Sequence, residues 1–172
     1  MNDAMIRNEY RERWARWLPS ALEALAHEPP DFPAVMPTFP PPGIDRRAFT
    51  LPRGELRMAL LTSSGAYDTR SQAPFAAGAI IGDASHRTFD IDAPADDLQF
   101  AHEHFDRTHA RSDLECVLPR KTLRDIGIKA TTHIVSWSGY LLDWPSFIEV
   151  TLPQMLACLQ SDNANAALIV PI

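Results

Sequence analysis

Arg57-Met-Ala-Leu-Leu-Thr-Ser-Ser-Gly65 is the stretch whose reading decides the fold. Met58 to Leu61 is apolar without alternation, and it runs directly into three hydroxyl residues and a glycine. A strand that is apolar on both faces has to be covered on both, which is the position of a central strand in a sheet flanked by helices. The chain's other end supplies the matching half. Pro153 opens a helix that runs through Leu159, residues 163–165 interrupt it, and Ala166 to Ile172 form a last apolar strand. A helix followed by a buried strand implies a crossover, and crossovers join parallel strands. The expected fold is α/β: a three-layer, mixed or mainly parallel sheet flanked by helices, preceded by an N-terminal helix and a Pro-rich strap.

Working outward, Phe89 to Ile91, Leu98 to His102 and Thr132 to Ser136 read as further strands. Asp113 to Leu118 reads as extended, and Arg120 to Ile126 as a short helix closed by Gly127. Upstream, Tyr10, Trp14, Trp17, Leu18, Leu22 and Leu25 recur at helical intervals between Asn2 and His27, with Pro19 expected to kink or divide that helix. Seven prolines fall between Pro29 and Gly43, a density that excludes a helix or central strand and suits a polyproline-like strap. The expected organisation is an amphipathic helix over 1–28, a strap over 29–55 and an α/β body over 56–172, one compact domain overall.

Composition narrows the function classes. The 172 residues are 45% hydrophobic and 22% charged, ordinary for a globular protein. A membrane helix needs about 20 consecutive apolar residues, and no such run exists. The formal net charge is −6 with sixteen scattered Lys and Arg residues, so there is no basic stripe for nucleic acid. Cys116 and Cys158 are too few for a disulfide framework, and a cytoplasmic location is expected.

Three segments carry candidate chemistry. Ala101-His-Glu-His-Phe-Asp-Arg-Thr-His109, followed by Asp113 and Glu115, is dense in groups that could ligate zinc or iron; if the segment is extended, His102 and His104 share a face, with His109 the third imidazole. A solvated, hydrogen-bonded loop is the competing reading. Thr62-Ser-Ser-Gly-Ala-Tyr67 lies at the carboxyl end of the first body strand, where open α/β sheets hold ligands. Hydroxyls and backbone N–H groups there could hold a carboxylate or phosphate, although the segment is neither a Walker loop nor a dinucleotide fingerprint. In Gly82-Asp-Ala-Ser-His-Arg87, Arg87 could clamp a carboxylate with help from Ser85, or pair internally with Asp90 or Asp92. Cys116 is expected in a buried strand and Cys158 on the apolar face of the last helix, both as core.

Taken in order, Leu60-Leu-Thr-Ser-Ser-Gly65, Gly82-Asp-Ala-Ser-His-Arg87, His102-Glu-His-Phe-Asp106 and Asp113-Leu-Glu-Cys-Val-Leu-Pro-Arg-Lys-Thr-Leu123 resemble the selenoprotein B family of glycine, sarcosine, betaine and D-proline reductases. The family pattern is a TTxG turn, GDxSxR, HxHYD and DxNxVFPxxRL; this chain departs from it at Glu115, Leu118 and Lys121-Thr122. The resemblance implies an oxidoreductase component that reductively cleaves an amino-acid carbon–nitrogen bond, with a selenocysteine or cysteine attacking a small amino-acid-like substrate held by a pyruvoyl-bearing partner subunit. It implies substrate contacts at Thr62, Ser63, Ser64, Gly65, Ser85, Arg87, His102, His104 and Asp113, and no cofactor within the chain. The family's redox residue follows an apolar strand that matches Ala166 to Ile172. The nucleophile is therefore expected just beyond Ile172, which an in-frame UGA read as a stop would explain, with a naturally short, redox-dead relative as the alternative; the reductase-like domain is expected to be C-terminally incomplete and inactive in this form. A homo-oligomer is expected to cover an apolar patch around Leu168 to Ile172. A metal-dependent hydrolase or lyase built on His102, His104 and His109, and a non-catalytic binding subunit, are the alternatives.

Overall fold

The structure, a computed structural model, describes residues 3–35, 38, 54–103 and 105–172. The chain divides into two compact units, 1–49 and 50–172. In the first, α1 (Asp3–Leu25) contacts the single turn α2 (Phe32–Val35), and Trp17, Ala21, Leu25 and Val35 are buried. Pro19 neither breaks nor divides α1; its ring lies on an exposed face, so one missing N–H is all it removes. The helical turn at Phe32 corrects the expectation that the proline-rich stretch excludes helix. Asp31 caps it by accepting from the Ala34 N–H at 3.1 Å, and Pro33 stands in the first turn, where an N–H has no intrahelical partner in any case. Most of the expected strap (36, 37 and 39–53) lies outside the described residues.

The second unit is an α/β fold. A mixed four-stranded sheet has the order β3-β5-β1-β6, built from β1 (Arg57–Thr62), β3 (His86–Asp90), β5 (Lys129–Trp137) and β6 (Ala166–Val170). β1 runs parallel to both β5 and β6, and β3 is antiparallel to β5. β2 (Ala66–Asp68) and β4 (Leu98–Phe100) pair antiparallel in a small second sheet. The helices are α3 (Thr108–Ser112), α4 (Arg120–Asp125) and α5 (Trp144–Ser146), the last continuing through a π-helical stretch, Phe147–Thr151, into α6 (Leu152–Ser161).

Strand periodicity sorts the core into two layers. Leu60, Phe89 and Ile134 face Leu98, Phe100, Ala110, Val117 and Leu118 on one side. Ala59, Leu61 and Val135 face Phe147 and Met155 on the other. This two-sided burial is what the unalternating run at 58–61 demands. Each fully buried Leu, Ile or Val in it contributes about 1.5–3 kcal/mol relative to exposure. The crossover from β5 to β6 passes through α5 and α6 on the second face, and β1 lies between the two strands it connects.

Asp113 to Leu118 is not a strand. Residues Leu114–Cys116 form a 3₁₀ turn capped by Asp113, whose side chain accepts from the Glu115 N–H. Cys116 is accordingly exposed rather than core, with its thiol donating to the Asp113 carbonyl at 3.0 Å. The next turn explains the sequence around it. The Glu115 carboxylate accepts from the N–H groups of Lys121 and Thr122, both at 2.9 Å, and so closes the start of α4.

Candidate functional site at the carboxyl edge of the sheet

Thr62 and Ser136 follow Leu60 and Ile134 by two residues on paired strands, so they stand on the same face of the sheet, one step nearer its carboxyl edge. Both are fully buried. Apolar side chains thus give way to a polar layer where β1 and β5 end. The Thr62 hydroxyl donates to Ser64 Oγ at 3.0 Å and accepts from the Ser64 N–H at 3.2 Å. Ser136 Oγ is enclosed with no hydrogen-bond partner among the described residues.

Beyond Thr62 the backbone turns at Gly65, whose φ of +67° is left-handed and whose missing side chain would lie 2.6 Å from the Ala101 carbonyl oxygen. Its N–H donates to the Trp137 carbonyl at 2.9 Å, and its carbonyl accepts from the Ala101 N–H at 2.9 Å. The Ser63 N–H donates to Val170 O at 3.2 Å. The N–H groups of 63, 64 and 65 are therefore engaged by the protein, and an anion at this turn would displace one of them.

Parallel pairing brings the end of β5 alongside. Ser136-Trp-Ser-Gly-Tyr140 repeats the character of Thr62-Ser-Ser-Gly-Ala-Tyr67, and Ser64 and Ser138 form a bridge. At Gly139 three segments converge. A Cβ there would lie 2.7 Å from Ile172 O, 2.9 Å from His102 Nε2 and 3.1 Å from Ser63 O. His102 is only 3% exposed and packs edge-to-face on Phe105, with ring centroids 5.1 Å apart. The Ile172 N–H donates to Ser63 Oγ at 2.8 Å, so the last residue is tied to the turn after β1. Gly139 was not singled out by sequence; the repeated Ser-Gly ending of two apolar strands is the signal that marks it.

The remaining sequence candidates sit elsewhere. Arg87, on β3, donates through Nη1 to Ser85 Oγ at 2.8 Å and His86 O at 2.9 Å, through Nε to Ala73 O at 3.0 Å, and through Nη2 to Pro74 O at 3.2 Å. Its guanidinium lies 4.2 Å from the centre of the Phe75 ring. Four hydrogen bonds thus engage it, two fastening the 73–75 segment at Ala73 and Pro74 and two its own neighbours Ser85 and His86. Ser85 passes the network to Asp83, donating to its carboxylate, which also accepts from the Ala76 N–H at 2.8 Å. Burial pushes the Asp83 carboxyl up, but the hydrogen bonds from Ser85 and Ala76 and the charge of Arg87 outweigh it and hold the group below its ordinary range. Burial, then the Arg87 charge, keeps neighbouring His86 below the usual imidazole value. Asp90 and Asp92, the expected internal partners, are not used by Arg87; Asp92 pairs with Arg124 at 2.8 Å.

Asp113 is exposed and acts as the cap described above. His104 lies outside the described residues. His109 is exposed on α3 while His102 is buried, and residues 101–103 and 105–107 are loop rather than strand. Among the described residues, the His, Cys, Asp and Glu groups able to gather three ligand atoms within 4.8 Å of one another comprise His133, Cys158 and Asp162 alone, without His102 or His109. A cavity of about 280 Å³, lined among others by Asp96, Phe100, Arg111 and Leu114, is lined by none of the substrate- or metal-site residues expected from sequence.

β6 is the edge strand of the sheet rather than the buried strand expected: Leu168 and Val170 pack on the core only in part, while Ile169 and, beyond the strand, Ile172 are exposed. The apolar surface expected at 168–172 is therefore restricted to the outward-facing residues. No helix among the described residues is long and apolar enough to cross a membrane. Comparison with protein-family models, curated proteins and solved structures finds no match to this chain.

Proposed function

We propose that the chain is a component of a selenocysteine- or cysteine-dependent reductase acting on amino-acid carbon–nitrogen bonds, of the glycine, sarcosine, betaine and D-proline reductase type. One observation carries the reading. Three segments on which the resemblance rests, the turn at Ser63, the histidine at 102 and the end of the strand at Ile172, are far apart in sequence yet meet around Gly139. In the family resembled, the redox residue follows the strand matched by β6. A residue placed after Ile172 would emerge beside His102, on the edge of the sheet where α/β folds bind ligands.

In this reading His102 holds or receives a proton next to the nucleophile, and the carbonyl oxygens of Ser63 and Ile172 accept from an ammonium or amine on the substrate. Arg87 acts at one remove, keeping the 73–75 segment and Ser85 in place. The nucleophile, supplied after Ile172, forms a bond to the substrate α-carbon as the carbon–nitrogen bond breaks and the amine leaves. A pyruvoyl-bearing subunit as partner, and self-association through the exposed residues of β6, belong to the same proposal.

The nucleotide sequence following the Ile172 codon tests it. An in-frame UGA followed by a resumed open frame with a cysteine and a helix–strand pattern is the expected result. Several stop codons in that frame overturn the reading.

A further inference from the structure

We infer that His133, Cys158 and Asp162 form a binding site for a single zinc-class divalent metal ion, at the joint between the crossover helix and the central sheet. The inference is independent of the proposed reductase chemistry and of the carboxyl-edge site.

Two periodicities bring the three donors together. On β5, Val135 and Trp137 pack in the layer that faces α6, and His133 shares their parity, so its side chain stands on the same face. On the helix side, Cys158 and Asp162 are four residues apart, one turn along the face that buries Met155 and Leu159. The result is a nitrogen, a sulfur and an oxygen donor mutually within 4.8 Å. His133 Nδ1 is 3.0 and 3.1 Å from the two Asp162 oxygens. The His133 N–H donates to Asp162 Oδ2 at 2.8 Å, which fixes the carboxylate as outer-sphere bonds do in metal sites.

Donor chemistry selects the ion. Imidazole, thiolate and carboxylate suit zinc and its first-row neighbours, whereas magnesium and calcium take oxygen. Zinc–ligand lengths of about 2.0–2.3 Å in a tetrahedron put the donors roughly 3.3–3.5 Å apart. The nitrogen–oxygen pair is already near that spacing, and the sulfur needs to close by little more than an ångström. A thiolate and a carboxylate also balance the ion's two charges in a half-buried place. Asp162 is enclosed, with its side chain 9% exposed, while the imidazole is 44% exposed and leaves a path of entry. Three protein donors leave one tetrahedral position to water, which distinguishes such a site from a closed structural knuckle. Without an ion, burial and then the Asp162 charge push the Cys158 thiol up; binding displaces its proton to solvent.

Cobalt(II) titration of the full chain, after chelator treatment and dialysis, tests the site. The expected result is one equivalent bound, with a thiolate-to-cobalt charge-transfer band that zinc abolishes by displacement. Cys158→Ser removes the band, and His133→Gln weakens binding at least about tenfold; Cys116→Ser leaves the signal unchanged. Asp162→Asn also weakens binding, but it alters the contact of the side chain with the His133 ring as well, so Cys158→Ser, nearly isosteric and checked by circular dichroism, decides the matter. A missing charge-transfer band in the wild-type chain, or one that persists in Cys158→Ser, overturns the inference and leaves a hydrogen-bonded His–Asp pair beside an ordinary thiol.

Discussion

Gly65→Ala is the perturbation that the carboxyl edge is least able to absorb. At φ +67° an alanine pays for left-handed backbone by about 1–2 kcal/mol. Its methyl group would also lie 2.6 Å from the Ala101 oxygen, 3.0 Å from the Ala101 carbonyl carbon and 3.3 Å from His102 Cβ. Two of those atoms are backbone, in a segment hydrogen-bonded to residue 65 itself, so relief requires moving the chain that carries His102. Forced shifts of packed segments cost about 1–3 kcal/mol, and the two effects sum to about 2–5 kcal/mol. Gly127 separates them: its φ is +74°, but nothing lies within 4 Å of the added methyl group, so Gly127→Ala meets the backbone cost alone. The assay is urea denaturation of both variants, followed through amide exchange at Leu60, Ile134 and Val135, the buried centre of the sheet. Gly65→Ala is expected to lose more stability than Gly127→Ala by about 1–3 kcal/mol, equivalent to a melting difference of roughly 2–12 °C in a chain of this size. Equal losses in the two variants would refute the claim that the turn after β1 is held against the His102 segment.

Arg87→Lys keeps the charge but cannot reach Ser85, Ala73 and Pro74 together; faster amide exchange at 73–77 and a loss of about 1–2 kcal/mol are expected, and unchanged exchange would argue against the fastening role. Because the Asp83 carboxyl titrates lower in the folded chain than when unfolded, its contribution is present above the unfolded-state value and is lost as pH falls through the folded one. Asp83→Asn should therefore reduce stability at neutral pH, and the gap to the wild type should close as pH falls through the folded carboxyl's titration, measured by denaturation midpoints; a gap that widens in acid contradicts the sign. Iodoacetamide followed by mass spectrometry should label exposed Cys116 well before Cys158, which is half-buried and whose thiol is held up by burial and Asp162; equal rates would count against that packing.

The parts of the fold readable from sequence are those where one periodicity governs many residues. The run at 58–61 and the β-branched stretch at 132–136 declare buried strands, and the apolar end at 166–170 declares a strand, although β6 stands at the sheet edge with alternate residues exposed and Pro153 falls within a helical run that already begins at Trp144. The elements that escaped such reading are fixed by single side chains instead. Val117 and Leu118 are buried as an apolar strand would be, yet Asp113 and Glu115 cap two successive turns there and expose Cys116 between them. β2 is three residues long and has no pattern of its own; it exists because β4 pairs with it.

The candidate site divides along the same line. Thr62 to Gly65 and His102 can be singled out from composition, but their meeting depends on the parallel register that sets Thr62 opposite Ser136 and so brings Gly139 to both. Register is a property of a strand pair, and no single segment contains it. His133 and Asp162 likewise become neighbours only once the crossover helix lies on the β5 face. One ordered connection, β5 through α6 to β6, thus determines both clusters: its helix and the residue capping it hold Cys158 and Asp162, and its final strand leads Ile172 to His102. Loosening α6 should therefore disturb the carboxyl edge as well, and metal bound at His133, Cys158 and Asp162 should slow amide exchange not only in α6 but along β6, whose place beside β1 follows from the same crossover.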